Sequence, residues 1–289
     1  MLRYGQLQPW AGGFRWTLGG ALLLAVAAGP IAWGHGDRGE YIADLDARIE
    51  AQPDAVSLLL ERAEAHRRLG HRQQALSDLE RVLLISPGHH RVQYLLGLTH
   101  LDGEAFNAAE SALRRFLETH PDSPTCRTAL AQALTGQGRH LEAAREYDLA
   151  IAVQPTPVPD HYVARARAYR AAGGPHLDRA VEGLDDGMRI IGPLITLQKL
   201  AIEMELARGN HAAALSRIDD VLARTERKET WLVNKAKVLA AAGRHRQAKD
   251  TFSLAREALG SLPHRIRSSP AMIALAETIS NNLDKATSR

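Results

Sequence analysis

Thirteen histidines, a single cysteine and two pairs of adjacent aspartates are the residues of this sequence best suited to metal or acid–base chemistry. None has the spacing that such chemistry needs. Asp185-Asp186 and Asp219-Asp220 fall in amphipathic stretches, where successive helical side chains point about 100° apart and cannot both address one substrate. They are expected to serve a solvated helix face. His140, His211 and His245 each follow a glycine by two residues, so one recurring geometric place accounts for all three. His89-His90 reads as loop. His35 would hold copper or zinc only as a free N-terminal residue with a second ligand that the sequence does not identify. There is no His-Glu-x-x-His helix, no Gly-x-Ser-x-Gly elbow, no Gly-rich phosphate loop and no cysteine pair for zinc. The expectation is a chain without catalytic residues, cofactor or metal.

The elements that would position these side chains repeat along the chain. Prolines stand at positions 53, 87, 121 and 155, a spacing of 34 residues each time. That period is the mark of a helix-turn-helix array. The stretch Leu59 to Pro87 reads as two short amphipathic helices joined at Gly70, with Ala63 and Ala75 where they must approach closely. The next unit supplies Gly97, Ala109, Leu113 and Pro121, with its turn at Asp102-Gly103. A third supplies Leu130, Ala131, Gly138, Ala143, Tyr147, Ala150 and Pro155. In a fourth, Tyr162, Ala166, Tyr169 and Gly173 fit, and Gly174-Pro175 lengthen the turn before Ala180 and Leu184. Gly209, Ala214 and Ile218 mark a fifth unit, and Ala236, Gly243, Ala248, Phe252 and Ala255 a sixth. Phe116, Tyr147, Tyr169 and Phe252 are assigned to the core.

With its large, small, Gly, Ala, aromatic, Ala and Pro positions at fixed offsets, the pattern resembles the tetratricopeptide repeat family. The resemblance implies an all-α, right-handed superhelical solenoid. The organisation expected is a signal peptide or membrane anchor over 1–34, a lone second helix over 35–53, about six repeats over 54–260, and a capping helix and tail over 261–289. In that last segment Ser269-Pro270 would open a helix whose apolar face holds Met272, Leu275, Ala276, Ile279 and Leu283.

Family resemblance also implies that the first helices line a concave groove for an extended peptide or a partner's helix. The groove positions are Glu64 and Arg67; Arg91, Tyr94 and Leu98; Thr128 and Gln132; Arg167 and Arg170; Lys199 and Glu203; and Val233 and Lys237. This set is richer in basic residues than the chain as a whole, which suits a protein or peptide partner with an acidic segment. Tyr94 is the aromatic sent into the groove rather than the core. The Lys and Asn with which some family members clamp a chaperone's C-terminal carboxylate are missing from the matching positions.

The formal charge of +3 does not point to nucleic acid, because charges of both signs are mixed along every helix and no basic stripe forms. Cys126 stands alone, which excludes an intramolecular disulfide, and is expected to be buried. Trp16 to Trp33 is uncharged and follows Arg3 and Arg15, the pattern of a secretory signal or, if uncleaved, an anchor. Either places the rest of the chain in the periplasm or on the periplasmic face of the inner membrane. The function expected is a non-catalytic interaction module of the bacterial envelope. An accessory subunit of an envelope enzyme complex and a self-associating structural protein are the alternatives.

Overall fold

The computed structural model describes residues 38–287, with side chains over 39–284. The signal or anchor segment and His35 lie outside the described residues. Those that are described fall into α-helices and short connections, with no strand among them. Helix α1 (Arg38–Ala51) stands first. Six pairs follow: α2 (Val56–Arg68) with α3 (Arg72–Ile85), α4 (His90–Asp102) with α5 (Phe106–Thr119), and α6 (Pro124–Gly136) with α7 (His140–Val153). Next come α8 (Pro159–Ala171) with α9 (Leu177–Ile191), α10 (Ile195–Ala207) with α11 (His211–Arg224), and α12 (Glu229–Ala241) with α13 (His245–Gly260). Two helices close the chain, α14 (His264–Arg267) and α15 (Pro270–Thr287). From α2 onward each helix packs chiefly on its neighbours in sequence, and first helices touch the next first helix at α2–α4, α4–α6 and α8–α10, which makes a solenoid.

Small residues set the spacing within each pair. Ala63, Ala131, Ala166 and Ala236 on first helices, and Ala75, Ala109, Ala143, Ala180, Ala214 and Ala248 on second helices, are buried. At Gly97 even a methyl group is too large, since a Cβ would sit 2.5 Å from the Leu113 side chain. The large core residues take the place four after the second-helix alanine: Leu79, Leu113, Tyr147, Leu184, Ile218 and Phe252 are all buried. Phe116 departs from expectation, being half-buried and stacked on His120 with ring centroids 4.5 Å apart. Cys126 is buried as expected, and burial pushes its thiol up to about 12.

Each pair turns through one residue of left-handed backbone. Gly70 (φ 77°), Gly138 (75°), Gly173 (110°), Gly209 (73°) and Gly243 (74°) occupy it in five repeats. The second repeat corrects the turn read at Asp102-Gly103: the left-handed residue is Glu104, φ 56°, while Gly103 has φ −98°. Gly103 is there for space, because its missing Cβ leaves room for the Arg72 guanidinium, whose Nη1 donates to the Gly103 carbonyl at 3.3 Å. His140, His211 and His245 are each the first residue of a second helix, one place on one turn. In the fourth repeat the extra residues Gly174–His176 form a short 3-10 turn, and both helices continue unbroken.

Successive repeats are tied by ion pairs that recur in register. Arg62 reaches Asp46 at 2.7 Å, Arg165 reaches Asp148 at 3.0 Å and Lys235 reaches Asp219 at 2.5 Å, each time from a first helix to the second helix before it. Arg165 is the deepest of the three: it also donates to the Gly183 carbonyl at 2.6 Å and lies over the Tyr162 ring. A side chain on Gly183 would collide with it. Asp185 and Asp186 face apart as expected, to Arg217 and Arg189 respectively. The C-terminal apolar face forms as well, with Ile279 and Leu283 buried and Met272, Leu275 and Ala276 partly so against α12 and α13.

A β-carbon at left-handed φ costs about 1–2 kcal/mol. Glu104→Gly should therefore stabilise the chain, by up to about 1 kcal/mol after the extra entropy of unfolded glycine. Thermal denaturation measures it as a raised midpoint, whereas Gly138→Ala should lower the midpoint.

Candidate interaction surface

The residues proposed for the groove all lie on first helices, one set per repeat. Glu64, Leu98, Gln132, Arg167, Glu203 and Lys237 hold equivalent places, separated by 34 to 36 residues, and so form a row across the six first helices. Gln132, Arg167, Glu203 and Lys237 are exposed, as are Arg91, Arg170 and Lys199. Second helices and the turn alanines fill the interior behind them, which leaves this face of the first helices to solvent.

Six positions are less open than the sequence suggests, Glu64 and Arg67 among them with side chains 21% and 17% exposed. Tyr94 is half-buried and packs on Phe116, with centroids 5.2 Å apart, so the aromatic expected in the groove lies largely against the second helix. Leu98 is also partly buried against the central core. Thr128 bonds back to the Pro124 carbonyl at 2.9 Å and meets His161 of the next first helix at 3.3 Å. Val233 leaves the surface altogether: it is 1% exposed in a cluster with Phe252 and Ile279, closed by α15.

Charge along the row is partly self-neutralised. Glu64 bonds Arg68 at 2.7 Å and lies 3.6 Å from Arg67, which in turn reaches Asp102 at 2.6 Å. Arg170 and Glu203 pair at 3.3 Å across adjacent first helices. Lys199 sits over the Trp231 ring, 5.9 Å from its centre. Arg91, Arg167 and Lys237 have no ion-pair partner among the described residues. Positive potential available to a ligand thus belongs to these three and to Lys199.

Two features escaped the sequence reading. His89, His90, His120, Phe116 and Tyr94 make a continuous ring stack between the start of α4 and the end of α5, with His90 and His120 4.8 Å apart. The repeat period gave no signal for it, since His90 and His120 do not hold equivalent places. Trp231, buried beneath Lys199, gave no periodic signal of its own. Among the described residues, no group of three or more His, Cys, Asp or Glu could hold a metal ion. No described helix is long and apolar enough to cross a membrane.

Residues 60–124 and 94–160 match the tetratricopeptide repeat family model, and they coincide with the helix pairs whose turns and alanines are in strict register. Residues 60–160 are tetratricopeptide repeats. A tetratricopeptide repeat protein from Parabacteroides merdae has the same fold at 15% identity, over 87% of this chain and 93% of that one, with a TM-score of 0.51. MamA from Desulfovibrio magneticus is similar over 54% of this chain and 86% of its own, at 17% identity and a TM-score of 0.49. At such identities the likeness is one of fold. No curated protein matches the chain.

Histidine burial gives the tetratricopeptide array a pH dependence of known sign. Burial holds His66, His100 and His161 below the usual imidazole range. The unfolded chain then binds more protons than the folded one as pH falls through about 6.5, so stability falls with it. Lowering the pH from 7 to 5 should lower the melting midpoint. His100→Leu, which places there the residue that Leu134 and Leu239 supply in other repeats, should flatten that slope; an unchanged slope would contradict the assignment.

Proposed function

We propose that this chain is a non-catalytic adaptor of the bacterial envelope, which holds a segment of an exported or membrane partner along its first helices. The observation that carries the reading is the row from Glu64 to Lys237: six equivalent places on the six first helices, with Gln132, Arg167, Glu203 and Lys237 exposed. An extended segment laid across them meets one helix after another, each offering a side chain at the same place. The face is polar rather than apolar, so recognition rests on charge and hydrogen bonding more than on area.

Acidic residues in the partner suit the free cations Arg91, Arg167 and Lys237. The self-paired groups Arg67, Arg170 and Glu203 contribute less, because a ligand carboxylate must displace a partner already in place. Support for the envelope comes from the basic-then-apolar order of residues 1–34, which is the order a secretory signal or anchor takes. Membrane contact then runs through that segment alone, and only where it is retained.

Affinity capture from envelope extracts tests both halves. The full chain should recover a partner that Arg167→Glu, Lys237→Glu loses by at least about tenfold, which corresponds to about 1.4 kcal/mol. Both side chains are exposed, so the variant should melt like the parent. Recovery unchanged by the double substitution would contradict the surface, and fractionation of the full chain with cytosol would contradict the compartment.

A further inference from the structure

The first and last described helices of the array are unmatched halves of a repeat. Helix α1 holds the position of a second helix: its Asp46 meets Arg62 in the register in which Asp148 of α7 meets Arg165 and Asp219 of α11 meets Lys235. Helix α15 holds the position of a first helix, packing on α13 and touching α12 as α8 packs on α7 and α10 touches α8. Where the second helix of that last repeat would lie there is instead an open groove of about 690 Å³ between α13 and α15. Met272, Ile273 and Ala276 give it an apolar floor, with Ile273 49% exposed, and Arg256, Arg267 and Glu277 stand along it.

The outward side of α1 carries the complementary pattern. Asp44 and Arg48 occupy the places that Ala112 and Gly183, and Val82 and Ala150, occupy on complete repeats, where those residues are buried. On α1 both are exposed, paired with each other at 3.3 Å. Asp46 and Glu50 make this helix acidic, whereas arginines outnumber acids in the groove.

We propose that copies of this chain associate head to tail, α1 of one copy entering the α13–α15 groove of the next and completing a helix pair. Asp44 then faces Arg256 and Arg267, Arg48 faces Glu277, and Ile273 is covered. The two surfaces differ, so the contact is heterologous and adds copies without closing into a symmetric dimer. It uses the ends of the array and leaves the row on the first helices open, and it stands whether or not that row binds a partner.

Thiol cross-linking of the full chain with a short bismaleimide tests the geometry, with buried Cys126 as the unreactive background. Arg48→Cys and Ser280→Cys are exposed positions on the two surfaces. The doubly substituted chain should give a ladder of dimers, trimers and higher species. Each single variant should remain a monomer alone, and an equimolar mixture of the two should give dimers only. Ile273→Asp, added to the double variant, should remove the ladder. Absence of a ladder at micromolar concentration would overturn the proposal. So would either single variant cross-linking to itself as efficiently as the mixture does, which would mean a symmetric contact.

Discussion

The close approach of two helices at a pair of small residues is the constraint on which the remaining features depend. With Ala or Gly at the crossing, the second helix lies near enough for its large residue four places on to fill the gap, from Leu79 to Phe252. Dispersion contacts fade within an ångström of ideal separation, so a wider crossing would lose them along the whole interface. The turn must then reverse the chain in very few residues, which is why one left-handed residue recurs in every pair. The second repeat shows how strict that geometry is: it places Glu104 in left-handed backbone rather than shift the turn by one residue to the neighbouring glycine.

Once the crossing is fixed, each first helix has one side against its partner, one against the next repeat and one left over. Most of the leftover side stays exposed, from Gln132 to Lys237, although α15 covers Val233. Ion pairs in register, Arg62 with Asp46 and Arg165 with Asp148 among them, set how one repeat sits on the next and hence how the row of exposed residues is aligned. Arg165 is the costly member of this set. A guanidinium taken from water needs partners, and the carboxylate of Asp148 and the Gly183 carbonyl each accept one hydrogen bond from it. Alignment of the first-helix face therefore rests in part on charge pairing between repeats.

Repeat boundaries, helix order and the core alanines were legible in the sequence because a 34-residue period exposes them without tertiary information. The three histidines after turn glycines were legible for the same reason. What could not be read was the competition for a side chain between solvent and a neighbouring repeat. Tyr94 and Val233 occupy groove places by register, yet Phe116 draws the first inward and α15 covers the second. Likewise Arg67 and Arg170 appear as free cations in the sequence and are paired in space, because their partners Asp102 and Glu203 are 35 and 33 residues away. The pairing of Arg165 with Asp148 was in principle visible, since Asp46, Asp148 and Asp219 precede a basic residue by 16 or 17 positions in three different repeats.

Central to this account is that binding belongs to the first helices and structure to the second. Amide hydrogen exchange on the full chain, with and without the captured partner, reads that division directly. Added protection should appear on α4, α6, α8, α10 and α12 with the period of the repeat, and be absent from the second helices between them. Protection concentrated on the second helices, or confined to connections with no repeat period, would contradict the account.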